Sequence, residues 1–509
     1  MRDGLLRNHA WPLAAAGVAL VLLLPRLASL LELGFVADDF AHLVEDHHQP
    51  WYFAQDRLYR PLRNATFRVL PDLFGLDPVP YRFLVMAGFL TCLVLLFAFL
   101  RLQGVGLAGA LSACVFAALH PRNQRVLYWF AAAQDLVVAC AVLAALSGWT
   151  LFRQRASRAG YVLALVSFGV GLGFKEPAIV LPALLVIVDV HRLGADWRAV
   201  RTARFWRPYL GLLPVLGLYA AFVLLYPEGR LRQSEGGTSI YGVSTILQSL
   251  LALVRTLFNL VLPFARPLAL RDVTAPQLAC AVGVLAAVVL LAVWTRTRRA
   301  WAAAAAWVLV AVVPTSVFAR TNNGDQYLFL PMLGIALGLA WSLDEVFRSR
   351  TWARAVGCAV LMLQAFFGAR YLARAHEEWR VAGELVQRTM QSARALPDPE
   401  TFSTLVVVDL PHMNGRAPVL NNGLKGALMS VGFPRSLALE VNHQRPDADP
   451  AQKALVQGLL ACPAEPVVGP APRRTFVWVD GALLERTGEC AERWVQEDEQ
   501  RRALAWVKS

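Results

Sequence analysis

The sequence predicts an all-α polytopic membrane protein of about eleven transmembrane helices, followed by a small C-terminal α/β domain outside the cytoplasm. Three observations lead there. Eleven apolar runs occupy residues 11–371. Arginine clusters recur on alternate connections between these runs. Residues 374–509 contain no comparable run.

Composition sets the class. The 509 residues are 57% hydrophobic and 17% charged, where soluble domains carry about 25% charged residues. Mean hydropathy is +0.46. This balance excludes a purely soluble enzyme, a disordered chain and a fibrous repeat. The net charge of +13 would suggest nucleic acid in a soluble protein. In a polytopic one it marks cytoplasmic loops, and no nucleic-acid partner is expected. Basic residues are overwhelmingly arginine and alanine is abundant, which suggests a GC-rich bacterial genome.

A spanning helix needs about 20 mostly apolar residues. Such runs lie near 11–31, 82–101, 104–120, 130–152, 159–174, 177–190, 208–226, 277–295, 300–319, 326–346 and 352–371. The first, preceded by Arg2 and Arg7, resembles a signal peptide. The ten spans and the acidic pair that follow it favour a permanent anchor. A twelfth run, 246–265, is broken by Arg255 and Pro263.

Arginine placement orients the chain. With the N-terminus cytoplasmic, the clusters Arg153–Arg158, Arg192–Arg207, Arg296–Arg299 and Arg348–Arg354 all fall inside, provided 246–265 does not cross. Arg255 at mid-bilayer would cost about 2.5–3.5 kcal/mol on insertion scales. Residues 246–265 are therefore expected to form a re-entrant or interfacial helix on the outer face. The domains become a membrane domain, 1–373, with an outer loop at 32–81, and an extracytoplasmic domain, 374–509. The latter has 16 basic and 17 acidic residues, so the whole positive excess belongs to the membrane part. A plasma (inner) membrane location follows.

The C-terminal domain has strand-like runs at Leu405–Val408 and Phe476–Val479, with helical stretches near 450–461 and 490–506. It shows no 34-residue repeat. Of seven cysteines, only Cys462 and Cys490 lie in polar sequence. They can form one disulfide if the domain is outside the cytoplasm. No Cys/His spacing suits structural zinc.

The groups able to carry chemistry share the predicted outer face. Asp38 and Asp39 sit just beyond the first span among apolar residues. Adjacent carboxylates raise each other's pKa unless a cation or proton relieves them; a helix N-cap is the plainer role. Tyr59 and Arg60 precede Pro61, where a guanidinium suits a phosphate or simply snorkels to headgroup level. His120 and Asp135 flank a polar stretch that includes Gln134. They are candidate metal ligands, or His120 caps a helix. Lys175 and Glu176 join two spans. Arg255 and Arg320 are further candidate phosphate ligands, and Asp325, Gln326 and Tyr327 open the next outer segment. Glycines at 169, 171, 173, 334 and 338 favour close helix packing.

Carboxylates and arginines at an outer interface suit a lipid-linked sugar phosphate, its tails in the bilayer and its headgroup at that face. Arginines would hold the phosphate, and a carboxylate would take the proton of an acceptor hydroxyl. Phosphate leaves as a stable anion, so no second carboxylic acid is needed.

Six motifs appear in order: Val36-Ala37-Asp38-Asp39-Phe40, Tyr59-Arg60-Pro61-Leu62, Leu119-His120-Pro121, Asp135-Leu136, Phe174-Lys175-Glu176 and Gln326-Tyr327-Leu328-Phe329-Leu330-Pro331. In this order they resemble membrane glycosyltransferases of GT-C architecture. Among these, the chain is similar to the transmembrane O-mannosyltransferases with tetratricopeptide repeats and to their bacterial relatives. The likeness spans about 30–345. It implies a GT-C-like fold and an inverting glycosyltransferase with a polyprenyl-phosphate-linked sugar as donor. A glycan, lipid or protein would be the acceptor, and the first acid of the pair, Asp38, the usual base. A divalent cation remains open as a cofactor. Two departures stand out. Ala132-Ala133-Gln134-Asp135 replaces the family's frequent Gly-Arg-x-Asp, and the repeats are absent. The alternative is a transporter or flippase of a polar lipid or glycan, which predicts ionisable residues at mid-membrane; here they gather at outer ends.

Overall fold

The computed structural model describes residues 2–48, 60–194, 197–225, 243–262, 273–316, 325–396, 403–420, 423–443, 450–462 and 473–497. Tyr59 and Arg320 lie outside the described residues. The chain divides into two compact units. One comprises Met1–Leu31, Trp51–Ala65 and Pro80–Arg374, and the other Glu32–Pro50, Thr66–Val79 and Ala375–Ser509. Most of the outer loop, expected with the membrane domain, thus packs with the C-terminal residues.

In the first unit every predicted apolar run is helical, with helices that include Arg2–Ala28, Pro78–Leu102, Leu107–Ala118, Ala133–Arg155, Arg158–Phe174, Leu181–Arg192 and Leu212–Leu225. Ala275–Trp294, Arg298–Ser316, Phe329–Arg348 and the start of Thr351–Arg394 follow. Among the described residues, six helices are long and apolar enough to cross a membrane: Leu13–Glu32, Pro78–Leu102, Phe130–Arg155, Ala275–Trp294, Asp325–Arg348 and Thr351–Arg394. That is fewer than the expected eleven, and proline is part of the reason. Leu181–Arg192 has 12 residues, about 18 Å of helix at 1.5 Å per residue, well short of a hydrocarbon core of about 30 Å. Pro177 opens the 3-10 segment Glu176–Val180 ahead of it, and Pro208 lies in Arg207–Gly211 ahead of Leu212–Leu225. Proline has no N–H for the helical ladder, so these runs begin as tighter turns.

The outward surface is a lipid surface in character. On Ala275–Trp294, Val282, Leu285, Val289 and Leu290 are each more than half exposed, a patch water would not tolerate on a monomer. The helix Val243–Val261 is inverted relative to a soluble helix. Leu251 and Val254 are about half exposed, while Thr256 and Asn259 are buried. At these four positions polar groups turn toward protein and apolar ones outward, as a helix in or on a bilayer requires.

Close packing uses small residues. A Cβ on Gly148 would stand 2.5 Å from the carbonyl oxygen of Gly160, and the reverse is equally tight. The helices Ala133–Arg155 and Arg158–Phe174 thereby meet backbone to backbone. Gly334 and Gly338 receive the indoles of Trp307 and Trp301, and Gly171 receives Ala178. Gly169 meets only Val215, at 3.9 Å. Asp189 accepts from the Trp149 indole (3.1 Å), the Tyr209 hydroxyl (2.8 Å) and Arg153 (2.8 Å). This ties three apolar helical segments at one end.

The second unit holds a four-stranded sheet. Its strands are β1 (Thr404–Leu410), β4 (Ala438–His443), β5 (Arg473–Val479) and β6 (Ala482–Glu485), in the order β4-β1-β5-β6. The short strands β2 (Met413–Asn414) and β3 (Ala417–Pro418) pair separately. β1 is parallel to both neighbours, and β6 is antiparallel to β5. A central parallel strand is covered on both faces, which explains the unbroken Leu405-Val406-Val407-Val408. One face packs Val406, Val408 and Val477 against Leu455 and Leu459 of the helix Pro450–Ala461 and against Ala491 and Val495. From the other side, Thr389 accepts the Trp478 indole N–H (2.9 Å) and Ser392 accepts the Leu483 N–H (2.9 Å). Asp480 and Gly481, both at positive φ, make the two-residue β5–β6 turn favoured in hairpins.

Cys462 and Cys490 form a disulfide, with Cα atoms 5.9 Å apart. Alkylation of the unfolded, unreduced protein should label five thiols, and seven after reduction. The double serine variant should lose about 3–4 kcal/mol of stability, the loop-entropy value for a closure of this length, measured by denaturant unfolding.

Candidate active site

Two buried ion pairs in the first unit gather four of the predicted cations and acids. Arg60 stands immediately before Pro61, which opens the helix Pro61–Phe74. Its guanidinium meets Glu176 bidentately, Nε to Oε1 at 2.7 Å and Nη2 to Oε2 at 2.9 Å. Its Nη1 donates to Gln134 Oε1 at 3.3 Å. Lys175 Nζ donates to Asp135 Oδ2 at 2.6 Å and lies 4.8 Å from the centre of the Tyr327 ring. Local sequence explains the placement. Lys175 caps the C-terminus of Arg158–Phe174, where a cation is favoured. Asp135 lies in the first turn of Ala133–Arg155, where an anion is favoured.

A second network crosses the same unit. Arg122, 1% exposed, donates to Asp325 Oδ1 at 2.8 Å. It also donates to the carbonyls of Asn259 (3.3 Å) and Leu262 (3.2 Å), fastening the end of the helix Val243–Val261. Gln124 holds the other Asp325 oxygen, and Arg125 donates to Gln326 at 3.4 Å. His120 accepts the Arg122 N–H at 3.3 Å and caps the turn Pro121–Asn123. It takes the capping role, while Asp135 is committed to Lys175. Among the described residues, no group of three or more His, Cys, Asp or Glu could hold a metal ion. Arg255 lies on Val243–Val261, half-buried.

Sequence reasoning missed three participants. Arg122 and Gln124 lie in the polar stretch after His120, and that polarity between apolar runs was the available signal. Arg82, fully buried, donates to the Tyr128 carbonyl at 2.8 Å. A lone arginine at the head of an apolar run was its signal.

Asp38 and Asp39 belong to the second unit. The Asp39 N–H donates to the Val36 carbonyl at 3.0 Å and closes a turn. Ala37 has φ 44° and ψ −121°, the first central position of a type II′ turn, which ordinarily takes glycine. Such a conformation costs on the order of 1–3 kcal/mol and persists only where its surroundings enforce it. The two acids differ sharply. Asp39 is fully buried, and its Oδ2 accepts the Val36 N–H at 3.1 Å. Asp38 Oδ1 is buried and has no hydrogen-bond partner among the described residues. Nearby, Glu45 Oε1 accepts the Gly426 N–H at 2.8 Å. Burial raises the Glu45 pKa, against the opposing pull of that N–H and of Lys425.

No protein-family model matches the chain, and no curated protein does. Among solved structures it is similar to the arabinofuranosyltransferase AftD from mycobacteria, at 18% identity and a TM-score of 0.43. The similarity covers 89% of this chain and 35% of that one. The chain thus spans about a third of the length of the protein it resembles.

The Arg60–Glu176 pair has a pH signature. Burial pushes the Glu176 pKa up, but the guanidinium and its hydrogen bonds outweigh this and hold it below the ordinary value of 4.5. A lowered carboxylate pKa adds stability that is complete above the unfolded value and is lost as pH falls through the folded one. The melting temperature in detergent should therefore fall below about pH 4.5 in the wild type. Glu176→Gln should lose about 3–5 kcal/mol at pH 7, because Arg60 is left buried without its counter-charge, and should flatten that acid limb.

Proposed function

We propose that the protein is an inverting glycosyltransferase that moves a sugar from a polyprenyl-phosphate donor to an envelope glycan, lipid or protein at the outer face of the bacterial inner membrane. The observation that carries this reading is the division of labour in the acid pair. Asp39 spends its carboxylate on its own turn, while Asp38 keeps a buried oxygen with no partner among the described residues. That oxygen is the base. It takes the proton of an acceptor hydroxyl as the hydroxyl oxygen bonds to the sugar's anomeric carbon. The bond from that carbon to the phosphate oxygen breaks, and polyprenyl phosphate leaves as the anion. Attack opposite the leaving group inverts the anomeric centre.

Arg60 and Lys175 are the cations for the donor phosphate. Their pairing with Glu176 and Asp135 holds both groups oriented and desolvated beforehand, the preorganisation that makes electrostatic stabilisation effective. Gln134 and Tyr327 complete that group, and Asp325, Gln326 and His120 shape the network beside it. The lipid-facing apolar helices suit a donor with a long hydrocarbon tail. The disulfide supports an oxidising compartment for the C-terminal unit, and an odd number of spans, such as the eleven read from the sequence, would then put the N-terminus in the cytoplasm.

Membranes containing the wild type should transfer label from a radiolabelled polyprenyl-phosphate hexose or pentose to an endogenous acceptor. Asp38→Asn should lower transfer at least 1000-fold with folded protein still in the membrane. Asp39→Asn should chiefly reduce the yield of folded protein. Full transfer by both variants would remove the proposed base. Lipid movement without sugar transfer would favour the transporter reading.

A further inference from the structure

The acid-bearing turn is held by the C-terminal part of the second unit, and the contacts are backbone to backbone. The Ala37 N–H donates to the Val419 carbonyl at 2.7 Å. A Cβ on Gly423 would overlap the Ala37 carbonyl oxygen. A Cβ on Gly426, in the helix Leu424–Met429, would overlap the Phe40 carbonyl oxygen. The Gly426 N–H also donates to Glu45 at 2.8 Å. On another side Gly34 lies against Gly383, where a Cβ on Gly34 would stand 3.7 Å from the Gly383 Cα. Ala37 and Val419 are fully buried. The most constrained residue of the loop is the non-glycine residue at positive φ directly before Asp38.

We propose that Val419, Gly423 and Gly426 together are the positioning element for Asp38. It holds Ala37 at positive φ and so fixes the direction in which the Asp38 carboxylate points. This rests on Asp38 being the base. An unsupported alanine would leave this conformation for a negative φ, and Asp38 would turn with it. Val419 supplies the acceptor that fixes the Ala37 N–H, and Gly423 supplies the space that lets the two backbones close. The C-terminal domain is thereby part of the catalytic apparatus, whatever else it binds. Gly423, Gly426 and Val419 are positioning residues; none is assigned contact with substrate.

The test uses full-length protein in nanodiscs with a polyprenyl-phosphate-linked sugar. Gly423→Ala should lower kcat at least tenfold with the donor KM unchanged, and should speed amide hydrogen exchange at Ala37 and Phe40. Gly458→Ala, a change in the helix Pro450–Ala461 that crowds Trp494, controls for a general loss of stability. At a matched fall in melting temperature it should change neither quantity. Ala37→Gly covers the case in which Gly423→Ala does not fold. Glycine accepts the positive φ without strain but no longer confines Asp38, so kcat should fall with the melting temperature unchanged or raised.

Unchanged exchange at Ala37 and Phe40 in Gly423→Ala, or unchanged kcat in Ala37→Gly, would overturn the proposal. The exchange measurement needs no activity. If Asp38→Asn stays fully active while Gly423→Ala frees the turn, the choice of base has failed and the clamp has not.

Discussion

An ion buried in so apolar a chain costs several kcal/mol unless an opposite charge and hydrogen bonds meet it. The membrane unit meets that constraint with Arg60–Glu176, Lys175–Asp135 and Arg122–Asp325. Each pair joins segments far apart in sequence, so each is both an electrostatic and a topological fastening. Arg122 also reaches the carbonyls at the end of Val243–Val261. One guanidinium thereby anchors a helix whose polar side is turned inward. Removing any member would leave its partner desolvated without its counter-charge.

The acid pair obeys the same constraint differently. The buried Asp39 carboxylate is met by its own backbone, through the Val36 N–H. That bond is compatible with the turn at Ala37, and the turn is compatible with the backbone of Val419 and Gly423. Asp38 is what this chain of dependence leaves over. The two acids are adjacent in sequence and chemically identical, yet one is structural and the other has an uncommitted oxygen.

Much of the fold was legible because apolar runs and strand patterns are local signals. All eleven runs are largely helical in their described residues, and Leu405–Val408 and Phe476–Val479 lie in strands. Span number was less legible, since hydropathy does not register how Pro177 and Pro208 convert helix into 3-10 turns. Cys462 and Cys490 could be paired because they alone lie in polar sequence. Ion-pair partners were not legible. Arg60 and Glu176 are 116 residues apart, and Arg122 and Asp325 are 203 apart, distances at which no periodicity operates. The different duties of Asp38 and Asp39 depend on a turn type that Ala37 disguises, since glycine is its usual marker. His120 was open between ligand and cap, and only the Arg122 N–H distinguishes them.

The stereochemical course of a single turnover is the most direct measurement. Purified protein is given a polyprenyl-phosphate-linked sugar of known anomeric configuration and its acceptor, and the anomeric proton of the product is followed by NMR. Inversion is the expected result, because one carboxylate acting as base allows one displacement. Retention would require a covalent or second displacement step and would contradict the assignment of Asp38.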